Sequence, residues 1–306
     1  MDRFDAMRLF TRIVELGSFS EAAASLGLPR ATATHAIKAL EARLGARLLD
    51  RTTRQVTATL DGQAFYERSR RILAELEDAE SALSTHVADP HGTLRLDLHG
   101  THAAMIVLPR IGEFHRLHPR IEVVLSSGDR LVDLVGEGID CVIRAGQPRD
   151  SSLVARKLAE MPEILCASPE YLQRHGTPQH PDELAAHHAV GFFSRRGGQR
   201  YPFTLQVDGH LADYAAGGWI AVSDAACYSA AALAGCGIIQ APRFNLQADL
   251  QAGRLVQVLD AWPCPPLPVS VLYPFHRQLS PRVRVFIDWV SRLYADTFGA
   301  HGVAPP

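Results

Sequence analysis

The sequence predicts an α/β protein that begins with a small helical domain and continues, after one long helix, into a larger domain of alternating strands and helices. Three observations support this fold class. Apolar residues recur every three or four positions over residues 3–44, which is the period of helices that bury one face. Residues 60–87 keep an unbroken helical pattern. From Thr93 onward, short apolar runs alternate with helical patterns, which is typical of βαβ units and a mostly parallel sheet.

The first 44 residues predict three helices. The first covers residues 3–16 and ends at Gly17, and either Ser18 or Ser20 can cap the backbone amides of a short second helix. Gly27 can adopt the positive φ that ends this second helix. The third helix is predicted over residues 31–44. The apolar faces of the second and third helices are predicted to consist of Ala22, Ala23 and Leu26, and of Ala33, Ile37, Leu40 and Leu44.

The opposite side of the third helix suits the major groove of DNA. Arg30, His35 and Lys38 supply hydrogen-bond donors, and the small Ala31 allows a close approach. Residues 30–54 hold six cationic and two anionic side chains, a local charge of +4 that attracts phosphates. The predicted DNA contacts are Ser18, Arg30, Ala31, Thr32, Thr34, His35 and Lys38, followed in a wing between strand-like runs by Arg51, Thr52, Thr53 and Arg54. The alternative is an ordinary antiparallel helix pair with a solvated charged face.

Residues 60–87 predict a long helix with an apolar seam. Its seam positions are separated alternately by four and three residues, the spacing of a coiled coil: Phe65, Ser69, Ile72, Leu76, Ala79 and Leu83. We therefore predict a dimerisation helix with Phe65, Ile72, Leu76, Ala79 and Leu83 at the interface. The alternative is that the seam packs on the C-terminal domain of the same chain. Residues 89–92 break the helical pattern and predict a hinge.

The C-terminal part predicts two sets of strands and helices. The expected strands lie at 94–98, 121–125, 163–167, 189–193, 220–222, 238–240 and 269–273, and a short helix with a further strand is expected within 129–144. The main expected helices lie at 103–117, 225–235 and 281–298, and the tail after Gly299 is predicted to be disordered. The final strand and helix are predicted to return to the first set of strands.

Composition limits the class of protein. The 47% apolar and 21% charged content is that of a globular chain, which excludes a disordered protein. The net charge of −2 shows that any nucleic-acid binding must come from a local patch. No basic-then-apolar leader and no apolar run near 20 residues occurs, so we expect a cytoplasmic protein without a membrane segment. The five scattered cysteines argue against a disulfide framework or zinc site, and no cofactor is expected. Cys227 and Cys236 are interpreted as small buried residues rather than as a redox pair.

Two regions of the chain resemble a known family. SFSEAAASLGLPRATATHAIKALEARLGARLLDRTTR, over residues 18–54, closely resembles the N-terminal winged helix-turn-helix of LysR-type transcriptional regulators. The strings GTLRLDLHGTHAAMIVLPRIGEFHRLHP, DRLVDLVGEGIDCVIRAG and ASPEYL resemble the effector domain of that family, in particular its CrgA-like group. Thr34 and His35 stand where the family usually has Ser and often Arg, so the DNA sequence preference is expected to differ.

The resemblance implies a C-terminal effector domain of two Rossmann-like lobes joined by two crossover strands, similar to a type II periplasmic binding protein. It implies a winged helix-turn-helix domain at 1–59, a linker helix at 60–88 that pairs two subunits, and a hinge at 89–92. Lobe I is expected at 93–162 and 267–300 and lobe II at 163–266, with crossovers near 160–164 and 265–269. The implied partners are double-stranded DNA, a small-molecule effector and further copies of the chain, in a homodimer or homotetramer.

Ligand candidates follow from the ends of the strands, where helix N-termini attract anions. The predicted effector contacts are Gly100, Thr101, His102, Arg144, Ala145, Gly146, Phe193, Ser194, Ser223 and Asp224. Each has an ordinary structural alternative. Thr101, Ser223 and Asp224 are suited to capping helices, and Arg144 is suited to an ion pair between the lobes. A protonated His102 suits an anion, whereas Asp224 would oppose a carboxylate.

The leading hypothesis is therefore a DNA-binding regulator whose promoter binding responds to an effector between the two lobes. One alternative is an enzyme with an accessory helical N-terminal domain. The chain contains no GxSxG, GxxxxGK[ST], GxGxxG or HExxH motif, which disfavours that alternative. Another alternative is a pure ligand-binding or transport protein, which would require an export signal.

Overall fold

The computed structural model describes residues 1–51, 56–83, 90–128, 133–147, 153–193, 198–215, 217–274 and 279–299. Several predicted features lie outside these residues: Thr52, Thr53, Arg54, Ser194, the end of the long helix after Leu83, the first hinge residue and the tail after Gly299. Backbone contacts divide the chain into two units. The first contains Met1–Ala88 with Val135–Gly138, and the second contains Asp89–Leu134 with Ile139–Pro306.

The first unit consists of helices around a small hairpin. Its elements are α1 (Arg3–Leu16), α2 (Phe19–Ser25), α3 (Arg30–Leu44), β1 (Leu49–Arg51), β2 (Val56–Ala58) and α4 (Leu60–Leu83). The helix ends follow the sequence signals. The Ser18 side chain accepts a hydrogen bond from the Glu21 amide, 3.3 Å away, and so caps α2 as predicted. Gly17 and Gly45 end α1 and α3 at φ values of +62° and +66°, which favour glycine.

The core of the first unit is built by α1, α2 and α3. Its buried members are Leu9, Phe10, Ile13, Phe19, Ala22, Ala23, Ala33, Ile37, Leu40, Leu48 and Leu49. One predicted core residue is wrong: Leu44 is 43% exposed. The seven-residue α2 is about 10 Å long, less than half the length of α3, so it covers only part of α3. Leu44 is the last residue of α3.

The start of helix α4 packs against its own unit, which the predicted apolar seam did not include. Phe65 packs against Phe10 of α1, with ring centroids 5.4 Å apart, and so contributes to the core of its own unit. Phe65 is half-buried in this position, and its dimerisation role stays a prediction. Ser69 is buried, Leu76 is half-buried and Ile72 is 41% exposed. The side chains of Ala79 and Leu83 lie outside the described residues.

The second unit begins with a lobe built on a five-stranded sheet, which we call lobe I. The strand order is β4-β3-β5-β14-β6, and β3 pairs in parallel with both β4 and β5. β14 pairs antiparallel with β5 and β6. The strands are β3 (Gly92–Leu98), β4 (Ile121–Ser127), β5 (Cys141–Ala145), β6 (Leu153–Met161) and β14 (Leu267–Pro274).

The helices of lobe I include one irregular stretch. The helix predicted over 103–117 starts earlier, at Gly100, and has α5 (Gly100–His102), a π-helical turn (Ala103–Val107), a 3-10 turn (Leu108–Arg110) and α6 (Ile111–Leu117). Pro109 explains the irregularity, because it lacks an amide donor and its ring crowds the carbonyl four residues earlier. Helix α11 (Pro281–Phe298) returns to this lobe as predicted. The short helix α7 (Leu134–Glu137) lies between β4 and β5 in the chain, and its residues from Val135 onward are grouped with the first unit.

The second lobe, lobe II, follows in the chain. Its helices are α8 (Pro169–His175), a 3-10 helix (Pro181–Ala186), α9 (Ala225–Leu233) and α10 (Arg243–Gln251). Its strands are β7 (Glu163–Ala167), β8 (Gly191–Phe192), β9 (Phe203–Val207), β10 (His210–Tyr214), β11 (Ala221–Val222), β12 (Ile239–Pro242) and β13 (Val256–Val258). β8 and β11 are parallel, but β7 pairs antiparallel with β12 and β13. The prediction of a mostly parallel sheet is therefore wrong for this lobe, and β9 with β10 forms an additional antiparallel hairpin.

Cys227 and Cys236 are less buried than the sequence analysis predicted. Cys227 is exposed and Cys236 is half-buried, so they are not a pair of small buried residues. Cys227 lies in the first turn of α9 and Cys236 lies beyond its last turn, at opposite ends of the helix. Within the described ranges, no His, Cys, Asp and Glu side chains gather as metal ligands do. No helix in the described part of the chain has the length and apolarity to cross a membrane.

Candidate nucleic-acid interface and ligand cleft

Helix α3 presents a polar face to solvent because its apolar face is held against α1 and α2. Ala33, Ile37 and Leu40 are buried. The polar face contains exposed residues from the predicted set, namely Arg30, Ala31, Thr32, His35 and Lys38. The Thr34 hydroxyl donates to the Arg30 carbonyl over 3.1 Å, so its proton is used within the helix. Its oxygen can still accept a hydrogen bond.

The elements around α3 have helix-turn-helix geometry. The short α2 is followed by Gly27, whose φ of +66° turns the chain, and Pro29 leads into α3 without a side-chain cap on its first amides. β1 and β2 form an antiparallel pair in which Leu49 opposes Ala58 and Arg51 opposes Val56. Arg51 is the last residue of β1, and its side chain lies outside the described residues together with Thr52, Thr53 and Arg54. Ser18 is used as a cap, and its role as a DNA contact stays a prediction.

In the second unit, the two lobes meet near two helix starts. Cα atoms of α5, in lobe I, lie within 8 Å of Cα atoms of α9, in lobe II. Gly100 and Thr101 are half-buried in the first turn of α5, and Ser223 is half-buried just before α9. Asp224 accepts a hydrogen bond from the Cys227 amide over 2.9 Å, so the capping alternative describes its role within the chain. These helix starts bring several of the predicted ligand contacts into one region.

His102 does not face this region, and its prediction as an anion ligand is wrong. Its side chain is only 2% exposed, its Nδ1 lies 2.6 Å from the Tyr294 hydroxyl, and the two rings are stacked. Phe244, at the start of α10 in lobe II, meets the same imidazole edge-on, with centroids 5.6 Å apart. His102 is thus a core histidine with a hydrogen-bond partner, packed between α11 and a residue of the other lobe.

Arg144 is held within lobe I rather than between the lobes. Its guanidinium forms an ion pair with Asp97 on the neighbouring strand β3 and also donates to the backbone carbonyl of Asp97 over 3.1 Å. The Ser126 hydroxyl, at the end of β4, donates to the other oxygen of Asp97 over 2.5 Å. This ion pair joins two strands of lobe I, whereas the predicted alternative was an ion pair between the lobes. The parallel strands β3, β4 and β5 place these three side chains in a row near their carboxyl ends.

The remaining predicted contacts lie at strand ends. Gly146 follows β5 with a φ of +95°, and its amide donates to the Pro268 carbonyl over 2.8 Å. Ala145 is the last residue of β5. Phe193 follows β8, and its amide donates to the Val222 carbonyl over 3.0 Å. Whether these residues contact a ligand stays a prediction.

Sequence reasoning missed an acidic group at the crossover into lobe II. Glu163 is the first residue of β7, and Gln240 on β12 donates to its carboxylate over 3.0 Å. Burial raises the pKa of Glu163 from its usual 4.5 to about 7, although the hydrogen bond from Gln240 acts in the opposite direction. No sequence pattern revealed this group, because its burial depends on strands that are far apart in the chain.

Two family models match the chain in consecutive segments. Residues 4–63 match the bacterial regulatory helix-turn-helix protein, lysR family. Residues 88–295 match the LysR substrate binding domain. The first match covers α1 to the start of α4, and the second covers both lobes.

Characterised and uncharacterised regulators align along nearly the whole chain. An uncharacterised HTH-type transcriptional regulator of Escherichia coli, YhjC, is 40% identical over 95% of this chain and 97% of its own length. An HTH-type transcriptional repressor of Pseudomonas aeruginosa is 38% identical, covering 97% of this chain and 93% of its own length. The regulator CrgA of Neisseria meningitidis is 32% identical, covering 94% and 95% respectively.

Solved structures of full-length regulators have a similar fold. CrgA from Neisseria meningitidis, a LysR-type transcriptional regulator, matches with a TM-score of 0.58 and 31% identity, covering 95% of this chain and 98% of its own. The Vibrio cholerae virulence activator AphB matches with a TM-score of 0.58 and 30% identity, covering 94% and 98%. The predicted fold class, a winged helix-turn-helix followed by a two-lobed effector domain, is confirmed.

The raised pKa of Glu163 predicts a pH-dependent stability. The folded state holds a proton that the unfolded state releases between pH 4.5 and about 7, so the free energy of unfolding decreases as pH rises through that range. Glu163→Gln removes this effect and keeps an acceptor for Gln240. We expect the variant to exceed the wild type by roughly 2 kcal/mol at pH 8, with the difference shrinking towards pH 5.

Urea denaturation of the full chain from pH 5 to 8.5 measures this difference. The control is Glu160→Gln, which removes an exposed carboxylate on β6 that pairs with Lys157. A Glu163→Gln difference that stays constant with pH would contradict the prediction.

Proposed function

Because the chain belongs to the LysR family of transcriptional regulators, we propose that it reads its operator through the exposed face of α3 and responds to a small molecule held between the two lobes. The protein is a transcriptional regulator with a helix-turn-helix DNA-binding domain and a substrate-binding effector domain, not an enzyme. We further propose which residues contact DNA, which contact the effector and how the subunits pair. The proposed location is the cytoplasm, where the chromosome is accessible.

The observation that carries the DNA-reading proposal is the division of α3 into two faces. His35 and Lys38 are exposed on the side opposite the buried Ala33 and Ile37, and Arg30 is exposed at the N-terminal end of the helix. A helix of this kind enters the major groove with donors aimed at base edges and phosphates. Ala31 and Thr32 accompany them at the start of the helix, where close approach is greatest. We propose that Arg51, Thr52, Thr53 and Arg54 contact the flanking backbone from the wing.

Pairing of two subunits is proposed for helix α4. Ile72 is 41% exposed and Leu76 is half-buried, although both are apolar residues of a long helix. A second copy of this helix would remove both side chains from water. With Phe65 packed partly inside its own unit, the proposed interface is centred on Ile72, Leu76, Ala79 and Leu83. The two DNA-binding domains of a dimer bind the two half-sites of an operator. Pairing of dimers through further surfaces gives the proposed homotetramer.

The effector is proposed to bind where α5 and α9 approach each other. Gly100 and Thr101 lie on the lobe I side, and Ser223 and Asp224 lie on the lobe II side. Ala145, Gly146, Phe193 and Ser194 are proposed to complete the site from neighbouring strand ends. A ligand there regulates DNA binding only if it binds one arrangement of lobes or subunits more tightly than another.

Removing the polar side chains of α3 tests the DNA interface. We expect Arg30→Ala, His35→Ala and Lys38→Ala together to lower operator affinity more than about a hundredfold, because each contact contributes roughly 1–3 kcal/mol. Thermal stability and oligomeric state should not change, because these side chains are exposed. The operator is selected from fragmented genomic DNA by footprinting, and affinity is measured by gel shift.

Arg43→Ala is the matched control for this experiment. It removes a cation from the last turn of the same helix, outside the proposed face. A triple variant that binds the operator like the wild type would refute the interface. A triple variant that unfolds would show that these side chains are part of the core.

Charged substitutions in α4 test the pairing. Ile72→Asp with Leu76→Asp should give monomers, because burying two carboxylates in an apolar seam costs several kcal/mol. Sedimentation velocity measures the mass. Gln63→Asp, at an exposed position on the other side of the same helix, introduces the same group away from the seam and should leave the oligomer intact. A double variant that sediments as the wild type would contradict the proposed interface.

Loss of hydroxyl groups tests the effector site. Thr101→Val and Ser223→Ala should keep operator affinity but require about fivefold more effector for the same response, since one hydrogen bond contributes roughly 1 kcal/mol. A reporter driven by the selected operator, exposed to a panel of metabolites, provides the measurement. Thr93→Val is the control, because Thr93 lies near the opposite end of β3. An unchanged response in both variants would show that the effector binds elsewhere.

A further inference from the structure

Glu41, on the penultimate turn of α3, makes unusual contacts with the chain that follows this helix. Its Oε1 accepts hydrogen bonds from two successive backbone amides, those of Leu48 at 2.9 Å and Leu49 at 3.2 Å. Its backbone carbonyl also accepts from the amides of Gly45 and Ala46. One residue of the DNA-reading helix therefore holds both the turn that ends the helix and the first residue of the wing.

The bonds to Leu48 and Leu49 are partly buried. The two leucines are 2% and 3% exposed, so water has limited access to their amides when the Glu41 oxygen is removed. A buried amide without an acceptor costs about 1–3 kcal/mol. Leu49 begins β1 and pairs with Ala58 of β2, so the position of its amide also sets the position of the hairpin.

The carbonyl side of the Leu48 peptide is held by the start of α4. The Thr59 amide donates to the Leu48 carbonyl over 3.0 Å, and the Thr59 hydroxyl donates to the Arg47 carbonyl over 2.7 Å. Gly62 packs so closely that a Cβ atom there would lie 1.9 Å from the Leu48 oxygen. The peptide is thus fixed between the carboxylate of Glu41 and the first turn of α4.

We propose that Glu41 is the positioning residue that sets the wing and the start of α4 relative to α3, so that wing and helix contact the same DNA site in register. The inference rests on the proposed DNA-reading function and extends it. Glu41 contacts no DNA itself in this role. It acts through the Leu48 and Leu49 amides, and its removal loosens the hairpin while the base-reading face of α3 keeps its place.

The side-chain chemistry selects the test variants. Glu41→Gln keeps an acceptor oxygen at the same reach, Glu41→Asp keeps the charge but shortens the reach, and Glu41→Ala removes the acceptor. A purely charge-based role predicts that Asp rescues and Gln fails. The positioning role predicts the reverse order, because two amides need an acceptor at the right distance rather than a charge.

Hydrogen exchange of the full chain without DNA directly measures how well Glu41 protects the Leu48 and Leu49 amides. The amides of Leu48 and Leu49 should exchange at least tenfold faster in Glu41→Ala and Glu41→Asp than in the wild type, and Glu41→Gln should stay close to the wild type. Peptides from α1 provide the internal reference for folding. If Glu41→Ala unfolds, Glu41→Asp carries the comparison. Equal exchange in Glu41→Ala and the wild type would overturn the proposal.

DNA binding provides the readout that a merely structural role would not change. The wing neutralises phosphates in the proposed complex, so the slope of log affinity against log salt should fall by about 0.9 for each phosphate that the loosened wing no longer neutralises. Hydroxyl-radical footprints should lose protection at the flanks of the half-site and keep it at the centre. Unchanged slope and flank protection in Glu41→Ala, or equal loss in Glu41→Gln, would overturn the proposal. Failure of the wild type to bind DNA would instead overturn the proposed function, which the exchange experiment does not require.

Discussion

The close packing of α2 against α3 is the constraint on which the DNA-reading unit depends. Ala22, Ala23 and Ala33 are at most 1% exposed, so the two helices meet through methyl groups. A larger side chain at any of these positions would push the helices apart or force strained rotamers. Because the apolar side of α3 is fixed this closely, its polar side has only one orientation relative to the rest of the unit. The Glu41 contacts then fix the wing to the same helix.

In the effector domain, several polar groups at the strand ends already have partners within the chain. Arg144 is paired with Asp97, which also accepts from Ser126, and Asp224 caps α9. A ligand must therefore add to these hydrogen bonds or displace them. Displacement is costly because Asp97 is 2% exposed and would be left as a buried charge.

The sequence predicted the elements whose signals are local. The bounds of α1, the Ser18 cap and the two faces of α3 follow from helical period and capping chemistry, which act within a few residues. The failures concern residues whose surroundings are set by distant segments. His102 meets Tyr294 across 192 positions. β7 pairs with β12 and β13, which follow it by more than 70 residues. Periodicity reports which face is apolar and gives no information about which partner covers it.

The two units have separate hydrophobic cores, and this limits how an effector can act on DNA. Among the described residues, the core of the first unit is formed by residues between Leu9 and Tyr66, and the cores of the lobes contain none of these. Ligand binding between the lobes therefore need not change the packing beneath the DNA-reading face. In the proposed dimer, its effect would act through the relative positions of the two DNA-binding domains, and a coupling free energy of about 1–3 kcal/mol is typical of such a mechanism. Reciprocity then requires operator DNA to change effector affinity by the same factor.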